Sequence, residues 1–428
     1  MSKCLSLFFA LPLLFAANLN AQTNTYQISA GAGYAQSGYY KLADGTSQQV
    51  AYDDWDLAFS NLGINDVGIF FNESTASSMG QATPAIEVYD PFVFDFSENI
   101  NSGDLTDDQL LYNPEVSWAE GAFNTVKDTL NPLDHGWGAF NDFTQMIEGY
   151  RVFVIKLRNG QYRKIIFDTY DGSAYTFRVA DLDGSNEQSH TVNNNFGNGS
   201  PVVYFSFANG ANVTTPTGWD LVFCRYITPL FDGTGYLPHP VTGILVSDGI
   251  QTAKATGVDP ASVDYHDYLD SLKTRLDVIG HDWKVLSGFN WSVPDDVAYF
   301  VKKPNGDLYK LVFIAFAGSG TGTGTLEQTY LGQLSSAPDL PAGIQEVLVY
   351  PNPVAEKLTV SFVAERSTAA SLRLFNANGQ LVWEGNAHVQ TGLNVLEISN
   401  LPALSAGSYF LNVKLPNGQF SRTVMVGR

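Results

Sequence analysis

A five-residue phrase occurs twice in this chain, as Trp55-Asp56-Leu57-Ala58-Phe59 and as Trp219-Asp220-Leu221-Val222-Phe223. Each copy follows a short alternating stretch that ends in a turn dipeptide, Tyr40-Lys41-Leu42-Ala43-Asp44-Gly45 first and Phe205-Ser206-Phe207-Ala208-Asn209-Gly210 second. Asp-Gly and Asn-Gly tolerate positive φ, so both stretches read as hairpins. A second ladder of matches keeps a single register. Lys127, Leu130, His135, Trp137 and Gly160 recur 146 residues later as Lys273, Leu276, His281, Trp283 and Gly306. The phrases Val154–Gly160 and Phe300–Gly306 both run on into apolar strands, Ile165-Ile166-Phe167 and Leu311-Val312-Phe313. The expectation is an internal duplication of a β-rich unit of about 140 residues.

Composition supports strands over helices. Only 15% of the 428 residues are charged and 44% are hydrophobic, with 39 Gly and 21 Tyr, which suits an all-β protein with many turns. A net charge of −20 sets the chain against nucleic acid and anionic membrane surfaces. Residues 1–21 read as a signal peptide: Lys3, an apolar run from Leu5 to Ala17, and a small-residue exit ending at Ala21. Cys4 precedes the apolar run rather than the cleavage point, so a lipoprotein anchor is not expected. No later stretch is apolar enough to span a bilayer. Cys224 is then the one cysteine of the mature chain, a small buried hydrophobe with no internal disulfide partner.

The chain divides, on this reading, into an opening segment with a possible edge strand (22–37), copy one (38–192), a loop-forming seam (193–201), copy two (202–334), a Pro/Gly linker (335–343) and a separate small β-sandwich (344–428). Two helices are expected. One lies within Trp118–Asn131, with Glu120 near its start and Lys127 later. The other is Asp264–Asp277, where Tyr265, Tyr268, Leu269, Leu272 and Leu276 fall at spacings of three and four. The run Ser319–Thr325 is a glycine-rich hairpin tip or loop.

The C-terminal unit resembles the type A sorting domain of type IX secretion. The resemblance rests on Tyr350-Pro351-Asn352-Pro353, the turn Phe375-Asn376-Ala377-Asn378-Gly379-Gln380, the segment Leu396–Leu401 and the strand opening Gly407-Ser408-Tyr409-Phe410. It implies export by the type IX machinery, with the cargo released or attached at the outer-membrane surface and the tail usually removed. The body is similar to the HmuY-like family of secreted haem-binding proteins. Copy two carries the fuller pattern: Trp-Asp-Leu-Val-Phe, Val241-Thr242-Gly243-Ile244-Leu245, Gly280-His281-Asp282-Trp283 and the Asn305-Gly306 hairpin. These motifs define a fold rather than a ligand.

That resemblance implies haem held by axial His or Met side chains. The candidate ligands are His239, in a proline loop, and His266, between Tyr265 and Tyr268. Met79, His135 and His281 are the further haem or metal candidates; the two histidines also read as turn residues beside core tryptophans. His190 and His388 stand without companions and read as solvated. The acidic run Asp181–Glu187 reads as a polar turn rather than a calcium loop, because its Gly is at the wrong position. There is no His-Glu-x-x-His, Gly-x-Ser-x-Gly, phosphate loop or Cys-x-x-Cys, so no enzyme activity is expected. Two functions stay open: capture of haem or a haemoprotein, and a surface adhesion or glycan- or protein-binding module on the same scaffold.

Overall fold

The computed structural model describes residues 22–63, 66–76, 83–84, 86–334, 340–341, 343–350, 354, 357–376, 379–399, 401–402 and 404–426. The signal peptide, Met79, residues 335–339 of the linker and residues 351–353 of the Tyr-Pro-Asn-Pro motif lie outside them. The chain separates into two compact units, residues 1–332 and 333–428.

The first unit opens with β1 (Thr23–Ser29), β2 (Gln36–Tyr40), β3 (Ser47–Ala51), β4 (Leu57–Ser60) and β5 (Ile69–Phe71). A short bridge pair, β6 (Thr75–Ala76) and β7 (Thr83–Pro84), follows, and then β8 (Glu87–Val93). After a long irregular stretch come β9 (Gly138–Asn141), β10 (Met146–Gly149), β11 (Val152–Lys156), β12 (Tyr162–Tyr170), β13 (Ala174–Asp181) and β14 (Gln188–Asn193). The later part holds β15 (Val202–Ser206), β16 (Ala211–Val213), β17 (Leu221–Phe231), β18 (Tyr236–Val246) and β19 (Gln251–Thr256). A small hairpin, β20 (Val285–Ser287) and β21 (Asn290–Ser292), precedes β22 (Val297–Lys302), β23 (Asp307–Phe316) and β24 (Thr323–Gln333). The glycine-rich run Ser319–Thr325 spans the β23–β24 turn and the start of β24, and Gly322 takes φ 63°.

The sheets do not follow a division of the body at 193–201. One four-stranded sheet runs β18-β17-β2-β3 and another β16-β15-β4-β5. The hairpin that precedes the first Trp-Asp phrase therefore pairs with β17, through Tyr40–Leu221, and the hairpin that precedes the second pairs with β4, through Phe205–Leu57. Of the outer sheets, one repeats this exchange. β1 forms the edge of β1-β24-β23-β22-β19, while β14 forms the edge of a seven-stranded sheet with β13, β12, β11, β10, β9 and β8. Gly38 lies where β2 passes close to β1: a Cβ there would come within 2.2 Å of the Ser29 carbonyl oxygen.

The repeated aspartate holds each exchanged hairpin. Asp220 Oδ2 accepts from the Leu42 N–H at 2.7 Å, and Lys303 Nζ stands 2.9 Å from Oδ1. Asp56 Oδ2 accepts from the Phe207 N–H at 2.7 Å, and Arg158 donates to Oδ1 at 2.5 Å. Both carboxylates are buried, and each has a backbone donor and a cation, the conditions under which a buried charge is tolerated. The tryptophans act in parallel, Trp55 edge-on to Tyr204 at 4.8 Å and Trp219 edge-on to Tyr39 at 5.4 Å.

Strand alternation sorts the side chains into three layers of core. On β4, Leu57 and Phe59 join the cluster around Trp137 and Phe167, whereas Ala58 faces the other way. On β17, Phe223 packs against Trp283 at 5.6 Å, while Val222, Cys224 and Tyr226 face the opposite side. That side is shared with Tyr39, Ala58 and Tyr204, so the two four-stranded sheets meet there. The Tyr39 hydroxyl donates to the Tyr204 hydroxyl at 3.4 Å.

Neither expected α-helix forms. Within Trp118–Asn131 a 3₁₀ turn covers only Ala122–Asn124. The Asn124 amide replaces helical bonding: its oxygen accepts from the Ile69 and Gly121 N–H groups and its nitrogen donates to the Val67 and His135 carbonyls. Lys127 does pair with Glu120. The second expected helix is a 3₁₀ helix over Tyr265–Ser271, capped by the Asp264 side chain. Its three-residue repeat puts Tyr265 and Tyr268 on one side, both over Phe300, and Lys273 then bridges to Thr252 in extended backbone.

The second unit is a two-sheet sandwich. Its strands are β25 (Ile344–Tyr350), β26 (Leu358–Ala364), β27 (Thr368–Asn376), β28 (Leu381–Val389), β29 (Gly392–Ile398), β30 (Gly407–Leu415) and β31 (Gly418–Val426). They form sheets β25-β26-β29 and β28-β27-β30-β31 around a core that includes Val360, Phe362, Leu374, Leu411, Val413 and Phe420.

Candidate functional site

Several hollows open in the first unit, among them a cleft of about 370 Å³ beside His135; two, one internal and one at the surface, have aromatic walls. The internal one is a cavity of about 80 Å³ between the two four-stranded sheets. A single water needs roughly 10–15 Å³ by this measure, so several small-molecule atoms have room. Its walls are aromatic and aliphatic, including Tyr39, Trp55, Phe70, Trp118 and Tyr204. Its polar groups sit at one end. Glu73, only 5% exposed, accepts from the Asn113 N–H at 2.7 Å and from the Ile227 N–H at 3.1 Å. Burial outweighs those two bonds and pushes its carboxyl up to about 8. Glu115 keeps Arg275 3.6 Å from Oε2, while its buried Oε1 has no hydrogen-bond partner among the described residues. The Tyr226 hydroxyl, on a residue 5% exposed, likewise has none. Cys224 lines the same wall, and burial, with Glu73 adding to it, pushes its thiol up to about 12. It is a free thiol held in its unreactive form.

The surface feature is a cleft of about 530 Å³ beside the β20–β21 hairpin, lined by Tyr34, Val241, His281, Lys284, Leu286 and Trp291. It continues past Trp291 to Phe289 and Phe316. Phe289 is 98% exposed and Leu286 52%, so the hairpin tip leaves apolar surface in water. Beneath it Lys284 is buried. Its Nζ donates to the Thr242 and His281 carbonyls and lies 5.1–5.7 Å from the ring centres of Trp283, Trp291, Phe316 and Phe223. Burial lowers its ammonium to about 8, against a smaller opposing pull from Asp282.

The candidate histidines are spread over the unit. His239 lies opposite Thr228 on the long β17–β18 arm. His266 is 63% exposed, with Nδ1 2.7 Å from Asp264 and its ring stacked on Tyr265 at 4.0 Å. Tyr268 is turned to Phe300, away from any shared stack with His266. His135 stands two residues from Trp137 in one outer core and His281 two residues from Trp283 in the other. Burial lowers the pKa of both histidines. His190, expected in solvent, instead packs its ring against Phe177 and Phe205 at 5.2 and 5.0 Å, because alternation on β14 turns it inward. His388 is exposed. Asp181–Glu187 is the polar β13–β14 turn, with Ser185 and Asn186 bonded to Asp181 and Asp183. Among the described residues no group of three or more His, Cys, Asp or Glu side chains is set to hold a metal ion. Glu73, Glu115 and Tyr226 carry no motif; the one sequence hint is an acid one residue beyond the apolar run Ile69-Phe70-Phe71.

No curated protein matches the chain. Among solved structures, apo PinO from Porphyromonas gingivitis aligns over 74% of this chain and 100% of its own, at 11% identity and a TM-score of 0.23. Dimeric latent PorU from Porphyromonas gingivalis aligns over 66% of this chain at 12% identity and a TM-score of 0.17, and this chain covers 31% of it. PorZ, a surface component of the type IX secretion system of the same organism, aligns over 86% at 13% identity and a TM-score of 0.16, with 49% of its length covered. At such scores these likenesses carry no argument about ligand or mechanism. Among the described residues no helix is long and apolar enough to cross a membrane. Residues 348–427 match the family described as the secretion system C-terminal sorting domain. The C-terminal unit is thus a type IX sorting domain, which marks this chain for secretion and for attachment at the cell surface or release outside it.

Proposed function

We propose that the chain is a non-enzymatic binding protein acting outside the cell, and that it takes a carbohydrate face on the cleft beside the β20–β21 hairpin. The observation that carries this reading is the run of exposed apolar groups, Leu286, Phe289 and half-buried Trp291, joined to Tyr34 and edged by Asp282 and Asn290. A water-facing hairpin gains nothing in stability from such a tip, and aromatic faces with polar edges suit sugar rings. Lys284, fixed beneath the rings, keeps the platform in one geometry.

The test is titration of the purified chain against a panel of soluble oligosaccharides, read by tryptophan fluorescence. Saturable binding that falls at least tenfold in Trp291→Ala and Phe289→Ala is expected. Binding unchanged by both substitutions, or no saturable binding to any sugar, overturns the reading.

A second reading, haem capture, is favoured by one observation: half-buried His281 lines the same cleft, its imidazole neutral through burial and within a slot of aromatic walls. Haemin titration decides it. A sharpened Soret band lost in His281→Ala supports haem there, and loss in His239→Ala or His266→Ala moves the ligation to those residues. Absence of a saturable band removes this reading.

A further inference from the structure

We propose that the cavity between the two four-stranded sheets is a binding site for a small organic cation, a primary ammonium on an apolar or aromatic stem. This site is separate from the surface cleft and does not depend on what the cleft binds.

The argument starts from the open hydrogen-bonding capacity. Glu115 Oε1 and the Tyr226 hydroxyl are both buried, both belong to residues lining the cavity, and neither has a partner among the described residues. Groups so placed cost free energy unless something in the cavity satisfies them. Oε1 accepts only, and the hydroxyl accepts as well as donates, so the complementary ligand is a donor. The surrounding charge has the same preference. The charge is that of Glu115; Glu73, which burial raises to about 8 and whose two oxygens already accept from Asn113 and Ile227, adds a polar wall rather than a second charge. Arg275 touches the outer oxygen of Glu115 only at 3.6 Å. Arg225 also lines the cavity, but its guanidinium is engaged over the Tyr34 ring and by the Gly33 carbonyl.

The walls determine the rest of the ligand. Trp55, Trp118, Tyr39 and Tyr204 line the cavity, an aromatic wall that suits a cation and the apolar stem behind it. The chain already holds one ammonium this way, at Lys284 among four aromatic rings and two carbonyls. The cavity repeats that chemistry with carboxyl groups in place of carbonyls. Half-buried Trp55, Asn113 and Pro114 give its edge contact with solvent. One chain carries one such site, because Glu73 and Glu115 each come from the stretch between β5 and β9.

The experiment is calorimetric titration of the purified full chain with phenethylammonium and, separately, with the neutral 2-phenylethanol. One ammonium per chain is expected, with the alcohol at least tenfold weaker. Glu115→Gln should weaken the ammonium at least tenfold and Tyr226→Phe by a few-fold, neither of them lowering the thermal midpoint of the ligand-free chain. Trp291→Ala should leave it unaltered. Equal binding of the alcohol would reduce the cavity to an apolar hole and overturn the proposal. So would ammonium binding indifferent to both Glu115→Gln and Tyr226→Phe, or no saturable binding at millimolar ligand.

Discussion

The surroundings of Asp56 and Asp220 are built alike up to a point and then diverge. In both, a buried aspartate accepts from the turn of an exchanged hairpin and meets one cation, and its own carbonyl accepts from a later backbone N–H, Asn72 in one case and Ser247 in the other. The next residue is Glu73 at the first place, 5% exposed, and Asp248 at the second, in solvent. The repeated leucines differ in the same sense: Leu276 lines the cavity at 4% exposure, and Leu130 is 91% exposed. What is common to the two places holds exchanged strands. What is singular builds a site.

The comparison breaks first at the clamps. Asp220→Ala and Asp56→Ala each leave a cation and a buried N–H unpaired, and each should cost about 3–5 kcal/mol in denaturant unfolding. If only one of them does, the two clamps are not equivalent. The singular acid gives the next largest effect. Glu73 has a folded-state value of about 8 against 4.5 unfolded, so the fold favours its protonated form. Its contribution is complete below pH 4.5 and is lost as pH rises to about 8, at no more than about 1.4 kcal/mol per pH unit. Glu73→Gln should flatten that slope in thermal melts taken across the window, while Asp248→Asn, at an exposed carboxyl that partial desolvation raises in the same direction, should change it much less. The smallest effect separates the cations. Arg158 also donates to the Trp55 carbonyl, from a different guanidinium nitrogen than the one on Asp56, a forked geometry that a lysine's single nitrogen does not reproduce. Arg158→Lys should therefore cost about 1 kcal/mol, whereas Lys303→Arg should cost nothing or stabilise.

The sequence makes the class of fold plain and the tail plainest. Three of its pairings, β25–β26, β27–β28 and β30–β31, join neighbours along the chain, so alternation and turn residues specify them locally, and only β26–β29 and β27–β30 reach further. In the body the same signals name strands without naming partners. Alternation says that Tyr39 and Tyr40 face opposite sides, but it does not say that β2 belongs with β17. The helix expected from Asp264 to Asp277 fails for a related reason. Spacings of three and four suit an α-helix, yet a three-residue repeat over Phe300 satisfies Tyr265 and Tyr268 in a single tight turn. The Trp-Asp phrases are visible as repeats, but their role as clamps needs the exchanged hairpins. Glu73, Glu115 and Tyr226 become a group only through sheet stacking, which no local spacing encodes.

The pairing of β1 with β24 has a kinetic consequence. Thr23 and Thr329 share a hydroxyl contact across 306 residues of chain. The loop closed by that contact is nearly the whole body, and contacts of such separation form late and slowly. A ribosome or a translocon delivers β1 first and β24 almost last, so the five-stranded sheet has no completed edge until the sorting tail is about to follow. Closure of the body is thus timed by its own final strand.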